Sequence, residues 1–320
     1  MKPIFTRSVK LFPDHYPVKL LQHTHIDHLI SSRKLAAVQL STPVSAIITF
    51  FYTEHITVAP VVEPKTRRFC GYVDLGDVIS VVASLLSGPG AFPLDAAVSA
   101  TVTLTAETLM EQSKGLLSVS NKLALPRNAT VGELFERMAR LHVHYVAVTT
   151  RGNDEEDFDE LEAVVTETEI ISWIMEHLKA FEQPSLSFDL RKTLAQLGLG
   201  RDHPVTTVPH TCTVIQAVHE LRQSHDAVVA VVDAGGKLLG DFSLDTLLSV
   251  SSAATLMECL QKPLTPHTAV VVSAATDTLE GVLKRFVETK SHHAFLLNDR
   301  GDPASLVTVQ DVVRLFSMTQ

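Results

Sequence analysis

The chain has 320 residues, 45% of them hydrophobic, 20% charged and 6% aromatic, enough at roughly 100–200 residues per domain for two or three domains with substantial cores. Its 27 Lys and Arg against 36 Asp and Glu give a formal charge of −9, and the basic stripe of a nucleic-acid binder is missing. No apolar run reaches about 18 residues and residues 1–20 lack the pattern of a secretory signal, so neither a membrane span nor export is expected. Three scattered cysteines, Cys70, Cys212 and Cys259, suit a reducing compartment. The expected class is a soluble, intracellular α/β protein.

In chain order, an N-terminal extension over 1–24 leads to His23-Thr-His25-Ile-Asp-His28. On one helix His25 and His28 would share a face without His23, so a surface helix is expected there rather than a metal site. Pro43-Val-Ser-Ala-Ile47 then suits a first helical turn, followed by the apolar runs VAPVV (58–62) and FCGYV (69–73) and a second helix opened by Asp74-Leu-Gly-Asp77. Ser87-Gly-Pro-Gly-Ala-Phe-Pro93 reads as a linker. Thr130-Val-Gly-Glu-Leu134 opens the next helix, before VAV (146–148), the segment 151–160 with its acidic stretch Asp154 to Glu160, LEAVV (161–165) and Thr166-Glu-Thr-Glu169. The acidic stretch is most simply a solvated hairpin tip. A connecting segment over 181–200 is partly helical at 190–197 and precedes Arg201. Thr213-Val-Ile-Gln-Ala217, VVAVV (228–232), KLLGDF (237–242) and Ser243-Leu-Asp-Thr246 follow. Last come Thr278-Leu-Glu-Gly-Val282, AFLL (294–297), ASLV (304–307) and Thr308-Val-Gln-Asp311.

The same grammar occurs four times. Eighteen positions beyond Pro43, Thr130, Thr213 and Thr278 lie Val61, Val148, Val231 and Leu296, all aliphatic and inside the first of two predicted strands. Modules three and four continue without a gap to Ser243 and Thr308, whereas module one carries one extra hairpin residue and module two six. Insertions confined to a hairpin tip are what a repeated fold tolerates. The three threonines suit helix N-caps. Modules are expected over 25–87, 88–180 with the linker, 181–250 with the connecting segment, and 251–320. The chain has no GxxxxGK[ST], GxGxxG, HExxH or kinase signature set and no nucleophile beside an oriented base, so an enzyme is not expected.

A β-α-β-β-α unit closing on apolar residues and Ser/Thr-x-x-Asp resembles the CBS (cystathionine β-synthase) domain. Four of them over about residues 20–318, with His25-Ile-Asp-His-Leu-Ile-Ser-Ser-Arg-Lys-Leu35 before the first and Thr278 to His293 in the fourth, resemble the nucleotide-sensing γ subunit of AMP-activated protein kinase and its yeast and plant relatives. The resemblance implies an α/β fold of four modules in two tandem pairs forming a disk, with AMP, ADP or ATP as regulatory ligands and no required cofactor. It implies a noncatalytic subunit, in the cytoplasm and nucleus, whose partners are a kinase catalytic (α) subunit and a β-type scaffold subunit. A CBS scaffold that assembles a complex without nucleotide control is the alternative.

In that family a carboxylate and a neighbouring hydroxyl on the last helix hold the ribose, and basic residues hold the phosphates. Carried over by register, the ribose side is Thr308 with Asp311 in module four, Asp77 in module one, Thr166 with the longer Glu169 in module two, and Ser243 in module three, where Thr246 replaces the acid. Fourteen positions beyond the openings lie Thr57, His144, Ala227 and His292, followed by Val58, Tyr145, Val228 and His293. The expected phosphate side is therefore His144, His292 and His293, with Arg201 as an added cation. The carboxylates could instead simply complement helix N-termini, and the histidines could be interface residues. Module four is the expected site, and phosphate affinity should be below that of a full γ subunit.

Overall fold

The structure is a computed structural model that describes residues 16–30, 35–87, 94–113, 123–150, 160–181, 189–201, 204–224, 228–247, 262, 264, 271–272 and 277–317. The first half contains α1 (Tyr16–His23), β1 (Val38–Gln39), α2 (Val44–Glu54), β2 (Val58–Val62), β3 (Phe69–Asp74), α3 (Leu75–Ser87), α4 (Leu94–Thr103), α5 (Ala106–Ser113), β4 (Ala124–Pro126), α6 (Val131–Leu141), β5 (Tyr145–Thr149), β6 (Leu161–Thr166) and α7 (Glu167–Glu176). The second half contains α8 (Leu194–Leu197), β7 (Thr207–Pro209), α9 (Val214–Ser224), β8 (Val228–Val232), β9 (Leu238–Ser243), β10 (Val271–Val272), α10 (Leu279–Thr289), β11 (His293–Leu297), β12 (Pro303–Thr308) and α11 (Val309–Ser317).

The strands form four three-stranded sheets of one topology, β1-β2-β3, β4-β5-β6, β7-β8-β9 and β10-β11-β12. In each, the first strand runs parallel to the second across a helical crossover, and the second pairs antiparallel with the third. The ladder shifts register immediately after Val61, Val148, Val231 and Leu296. These are the four aliphatic residues that mark the repeat, so its strongest sequence signal sits at a conserved kink of the hairpin.

Sheets pair within each half. Phe69, Tyr72, Ala124, Ala147 and Leu161 pack β3 against β4, β5 and β6, and Val228, Ala230, Phe295 and Leu306 join the sheets of the second half. Helices then pack across the halves: α6, α7, α10 and α11 share one core, and α2, α3 and α9 share another. Modules one and two are therefore partners through their sheets, as are three and four. Modules two and four, and one and three, meet through their helices.

A feature with no pattern in the sequence ties each pair together. A helix leaves its first N–H groups without internal partners. In all four modules the first helical N–H is taken by a carbonyl from the segment preceding the partner module: Val44 by Leu104, Val131 by Thr24, Val214 by Lys262 and Leu279 by Lys192, at 2.8–3.1 Å. Two residues on, the same segments return a bond, from Ala106 to Thr42, Ile26 to Ala129, Leu264 to Cys212 and Leu194 to Asp277. Each segment is thus a strap on its neighbour's helix. Side chains supply the acceptor for the N–H at the third helical position, since Thr130 Oγ1 accepts from Glu133 N–H and Thr278 Oγ1 from Gly281 N–H, both at 3.2 Å.

Some expectations are corrected. Pro43 is the N-cap of α2 in extended geometry, and the helix begins at Val44. His23 ends α1, while His25 bridges Thr130 and His28 lies in a 3-10 turn over Ile26–Leu29. The strap breaks the helix, so His25 and His28 share no helical face. Among the described residues no group of three or more His, Cys, Asp or Glu could hold a metal ion. After Ser243 the described chain forms a 3-10 turn over Leu244–Leu247. Ala227, Cys259, residues 88–93 and the acidic stretch up to 159 lie outside the described residues. Glu160 pairs with Arg67 at 3.1 Å. No helix among the described residues is long and apolar enough to cross a membrane.

Two substitutions test this arrangement. Phe295 is fully buried between paired sheets, and Phe295→Ala should lower unfolding free energy by about 3–5 kcal/mol in urea denaturation. On the strap before α8, buried Asp189 accepts bonds from Arg191 N–H, Nε and Nη2 at 2.9–3.0 Å. Its pKa is lowered, chiefly by the bond from the Arg191 side chain. A depressed carboxylate stabilises the fold above its unfolded pKa and stops doing so as pH falls through the folded one. With Arg191 half in water, Asp189→Asn should cost about 1 kcal/mol at pH 7. The gap between wild-type and variant urea midpoints should narrow below about pH 4.

Candidate nucleotide clefts

The hairpin register places the candidate residues. The second strand of each module starts opposite the residue that caps its closing helix or turn: Val58 with Asp74, Tyr145 with Thr166, Val228 with Ser243 and His293 with Thr308. Asp77, Glu169, Thr246 and Asp311 therefore occupy one structural position, three residues beyond the cap. The residue before the strand lies across from the first residue of the helix. This is seen in the backbone bonds from Leu75 to Thr57 at 2.8 Å and from Val309 to His292 at 3.0 Å.

At the N-terminus of α11, Asp311 Oδ2 accepts from Thr308 N–H at 2.8 Å and from Thr308 Oγ1 at 3.0 Å, and Asp311 N–H donates back to Thr308 Oγ1 at 3.3 Å. The other oxygen, Oδ1, is 4.0 Å from Arg314 Nη1. Glu169 caps α7 likewise, accepting from Thr166 N–H at 3.0 Å and from the Thr166 hydroxyl. In α3 the capping acceptor is Asp74, whose Oδ1 takes the Asp77 N–H at 2.7 Å, and Asp77 is buried. In module three Thr246 Oγ1 donates to the Ser243 carbonyl at 2.6 Å. Helix capping is thus a role that Asp311, Glu169 and Asp74 perform already, as their charge beside N-termini allows.

Two of the phosphate-side candidates, His144 and His292, lie where modules two and four meet. His144 Nδ1 pairs with Glu167 Oε1 at 2.8 Å, and His292 Nε2 reaches Thr168 Oγ1 on α7 at 3.0 Å. The reverse contacts run from α11 to module two. The Gln310 side-chain amide donates to the Val143 carbonyl, at 2.5 Å, and Arg314 Nη2 to His142 Nδ1, at 3.1 Å. His293 turns instead into the sheet interface, where its Nε2 meets Asp241 Oδ2 of module three at 3.1 Å. Arg201 is exposed after Gly200, whose neighbours are Leu296 and Val307 of module four.

The local electrostatics follow from these contacts. Partial burial, then the Arg314 and His144 charges, lower the pKa of His142, which occupies the left-handed C-cap of α6. Burial, then Asp74, Tyr72 and Asp77, hold the Tyr145 phenol well above its ordinary value. The acids Asp74 and Asp77 of module one therefore lie within electrostatic reach of Tyr145 in module two. His142, Glu167, Thr168, Asp241 and Arg314 were not candidates on sequence grounds. Glu167 was legible, because a hairpin pairing Tyr145 with Thr166 must set residue 144 opposite 167. For Asp241 the signal is an acid inside an apolar strand. Arg314 and Thr168 depend on how the halves pack.

Against known proteins, the CBS domain family model matches residues 26–84, 117–176 and 201–253, together more than half of the chain. The chain belongs to the CBS-domain family. The fourth sheet repeats the topology of the three matched modules, giving an α/β fold of four CBS modules in two tandem pairs. The chain is 20% identical over 305 residues to the 5'-AMP-activated protein kinase subunit gamma of Saccharomyces cerevisiae, covering 91% of this chain and 89% of that protein. It is also 27% identical over 111 residues to Protein SDS23 of Candida albicans, spanning 35% of this chain but only 16% of that relative. Among solved structures, protein MJ1225 of Methanocaldococcus jannaschii, described as a candidate archaeal homologue of g-AMPK, superposes with a TM-score of 0.66 at 14% identity, over 92% of this chain and all of that one. An uncharacterised conserved protein of Pyrococcus horikoshii gives 0.50 at 12% identity, with the same coverage. At these identities the structural likeness speaks for the disk-like tandem fold alone.

The caps themselves are testable. Thr166→Ala and Thr308→Ala should each lower stability by about 1 kcal/mol. Thr246→Ala should shift the urea midpoint less, because its hydroxyl bonds only a carbonyl within its own turn.

Proposed function

We propose that the chain is a noncatalytic, γ-like regulatory subunit of an AMP-activated-type protein kinase, binding AMP, ADP or ATP in clefts between its modules. The observation that carries this is the match along nearly the whole length of both chains to a γ subunit, far beyond the reach of one CBS module. Module four is the principal site. Asp311 is an ionised acceptor held beside Thr308 at a helix N-terminus, and a ribose offers two hydroxyls that a carboxylate accepts together. His144, His292 and the Arg314 guanidinium supply the phosphate side, with His293 and Arg201 as further basic residues. Asp77 with Asp74, Thr166 with Glu169, and Ser243 mark the corresponding positions of the other modules. Nucleotide acts by population shift: it bridges modules and favours one arrangement of the kinase catalytic and β-type subunits.

A nucleotide-independent scaffold is favoured by one specific observation. Thr246 replaces the ribose acid in module three and is bonded within its own turn. Calorimetric titration with AMP, ADP and ATP decides between the two. For the regulatory subunit, Asp311→Ala should weaken binding about tenfold to a hundredfold, since a hydrogen bond to a charged group is worth about 1.5–3 kcal/mol. Asp245→Ala should change it little, and circular dichroism of both variants supplies the folding control. Absence of binding at millimolar nucleotide, or recovery from native lysate without a kinase catalytic subunit, would overturn the proposal.

A further inference from the structure

Two of the phosphate-side histidines have a carboxylate behind them. His144 Nδ1 meets Glu167 Oε1 and His293 Nε2 meets Asp241 Oδ2, and the acid side chains are only 8% and 9% exposed. The pairs are built from different directions. Glu167 faces His144 across one hairpin. Asp241 reaches His293 from the partner module, at the register position where Tyr72 meets Tyr145 edge to face in the other half, rings 4.7 Å apart. Around it Val228, Ala230, Phe295 and Leu306 are apolar. A buried carboxylate is costly unless paired and hydrogen-bonded. Both halves of the chain therefore keep this contact, but only one makes it charged.

The hydrogen-bond inventory fixes what each ring offers. An ionised carboxylate only accepts, so the ring nitrogen that meets it carries the hydrogen, and in a neutral imidazole the other nitrogen is a lone pair. Neutral His144 is thus left with Nε2, and neutral His293 with Nδ1, as acceptors. An ionised phosphate oxygen is also an acceptor. The two cannot bond until the ring gains a proton, which makes the second nitrogen a donor and the bond charge-assisted.

We propose that Glu167 and Asp241 are positioning residues that set the tautomers of His144 and His293, so that capture of a phosphate group consumes protons. This rests on the nucleotide-binding function proposed above. The proton comes from solvent and adds to Nε2 of His144 or Nδ1 of His293, with no other bond made or broken. Among the described residues, the titratable and charged groups around His144 include His142 in its own turn, Glu167 on α7 and Arg314 on α11. Around His293 they are Asp241 on β9 and the adjacent His292, which contacts the Thr168 hydroxyl. Glu167 and Asp241 offset the repulsion that Arg314 and the neighbouring rings impose on a new imidazolium.

Affinity for a nucleotide triphosphate should fall as pH rises, by up to about tenfold per pH unit for each proton taken up. Glu167→Gln and Asp241→Asn place an amide, both donor and acceptor, beside the ring. The tautomer is then no longer dictated, and the pH slope should flatten toward zero in the double variant. Two measurements test this. ATP calorimetry at pH 7.5 in MOPS and in Tris, which differ in ionisation enthalpy, should show net proton uptake by the wild type and less by each variant. Long-range proton–nitrogen NMR of histidine-labelled, ligand-free protein should show hydrogen on Nδ1 of neutral His144 and on Nε2 of neutral His293. Identical wild-type heats in the two buffers, or the opposite tautomers, would overturn the proposal. If the wild type binds no nucleotide, the function proposed above fails, and the ligand-free tautomers alone decide the positioning role. If a variant does not fold, the wild-type measurements still decide it.

Discussion

The first N–H groups of a helix need an acceptor that the helix cannot supply, and for the first N–H of each crossover helix that acceptor comes from the other module of the pair. Four backbone carbonyls, those of Thr24, Leu104, Lys192 and Lys262, meet that need. Each bond contributes only about 0.5–1.5 kcal/mol net, yet together they fix where every crossover helix begins. Once that start is fixed, an eleven-residue helix delivers the chain to the same point on the sheet. The hairpin then sets the closing helix, and the candidate residues arrive opposite one another.

The halves use this frame differently. In the first, the sheet interface at the equivalent position is Tyr72 against Tyr145, with Tyr72 Oη donating to the Leu123 carbonyl at 3.0 Å. In the second it is Asp241 against His293. Across the helix interface, Thr168 reaches His292 while Gln310 and Arg314 reach Val143 and His142. These contacts relate modules two and four by approximate exchange, but the chemistry is unequal: the arginine lies on one side only.

The repeat was legible because aliphatic residues eighteen positions past each opening are held there by the hairpin bulge, a local constraint. The N-caps were legible for the same reason, since a threonine beside its own helix needs no distant partner. Pro43 was placed one residue late because proline fits both the cap and the first turn. The straps could not be read. Thr24 and Lys262 act through main-chain carbonyls, which leave no trace in side-chain pattern, and their pairing crosses a module. His25 and His28 were misplaced on one helix for that reason. Asp311 was legible as an acid at a helix start, whereas its neighbour Arg314 entered only through the packing of α11 on α6.

Exchange of straps also determines what counts as one piece of this molecule. Deleting a single module strips an acceptor from its partner's helix and leaves a strap of its own with nothing to cap. A cut between the halves, in the segment between Phe181 and Asp189, severs none of the eight strap bonds. The module is the unit of sequence repetition, and the strapped pair is the smallest piece in which every crossover helix keeps its backbone acceptor.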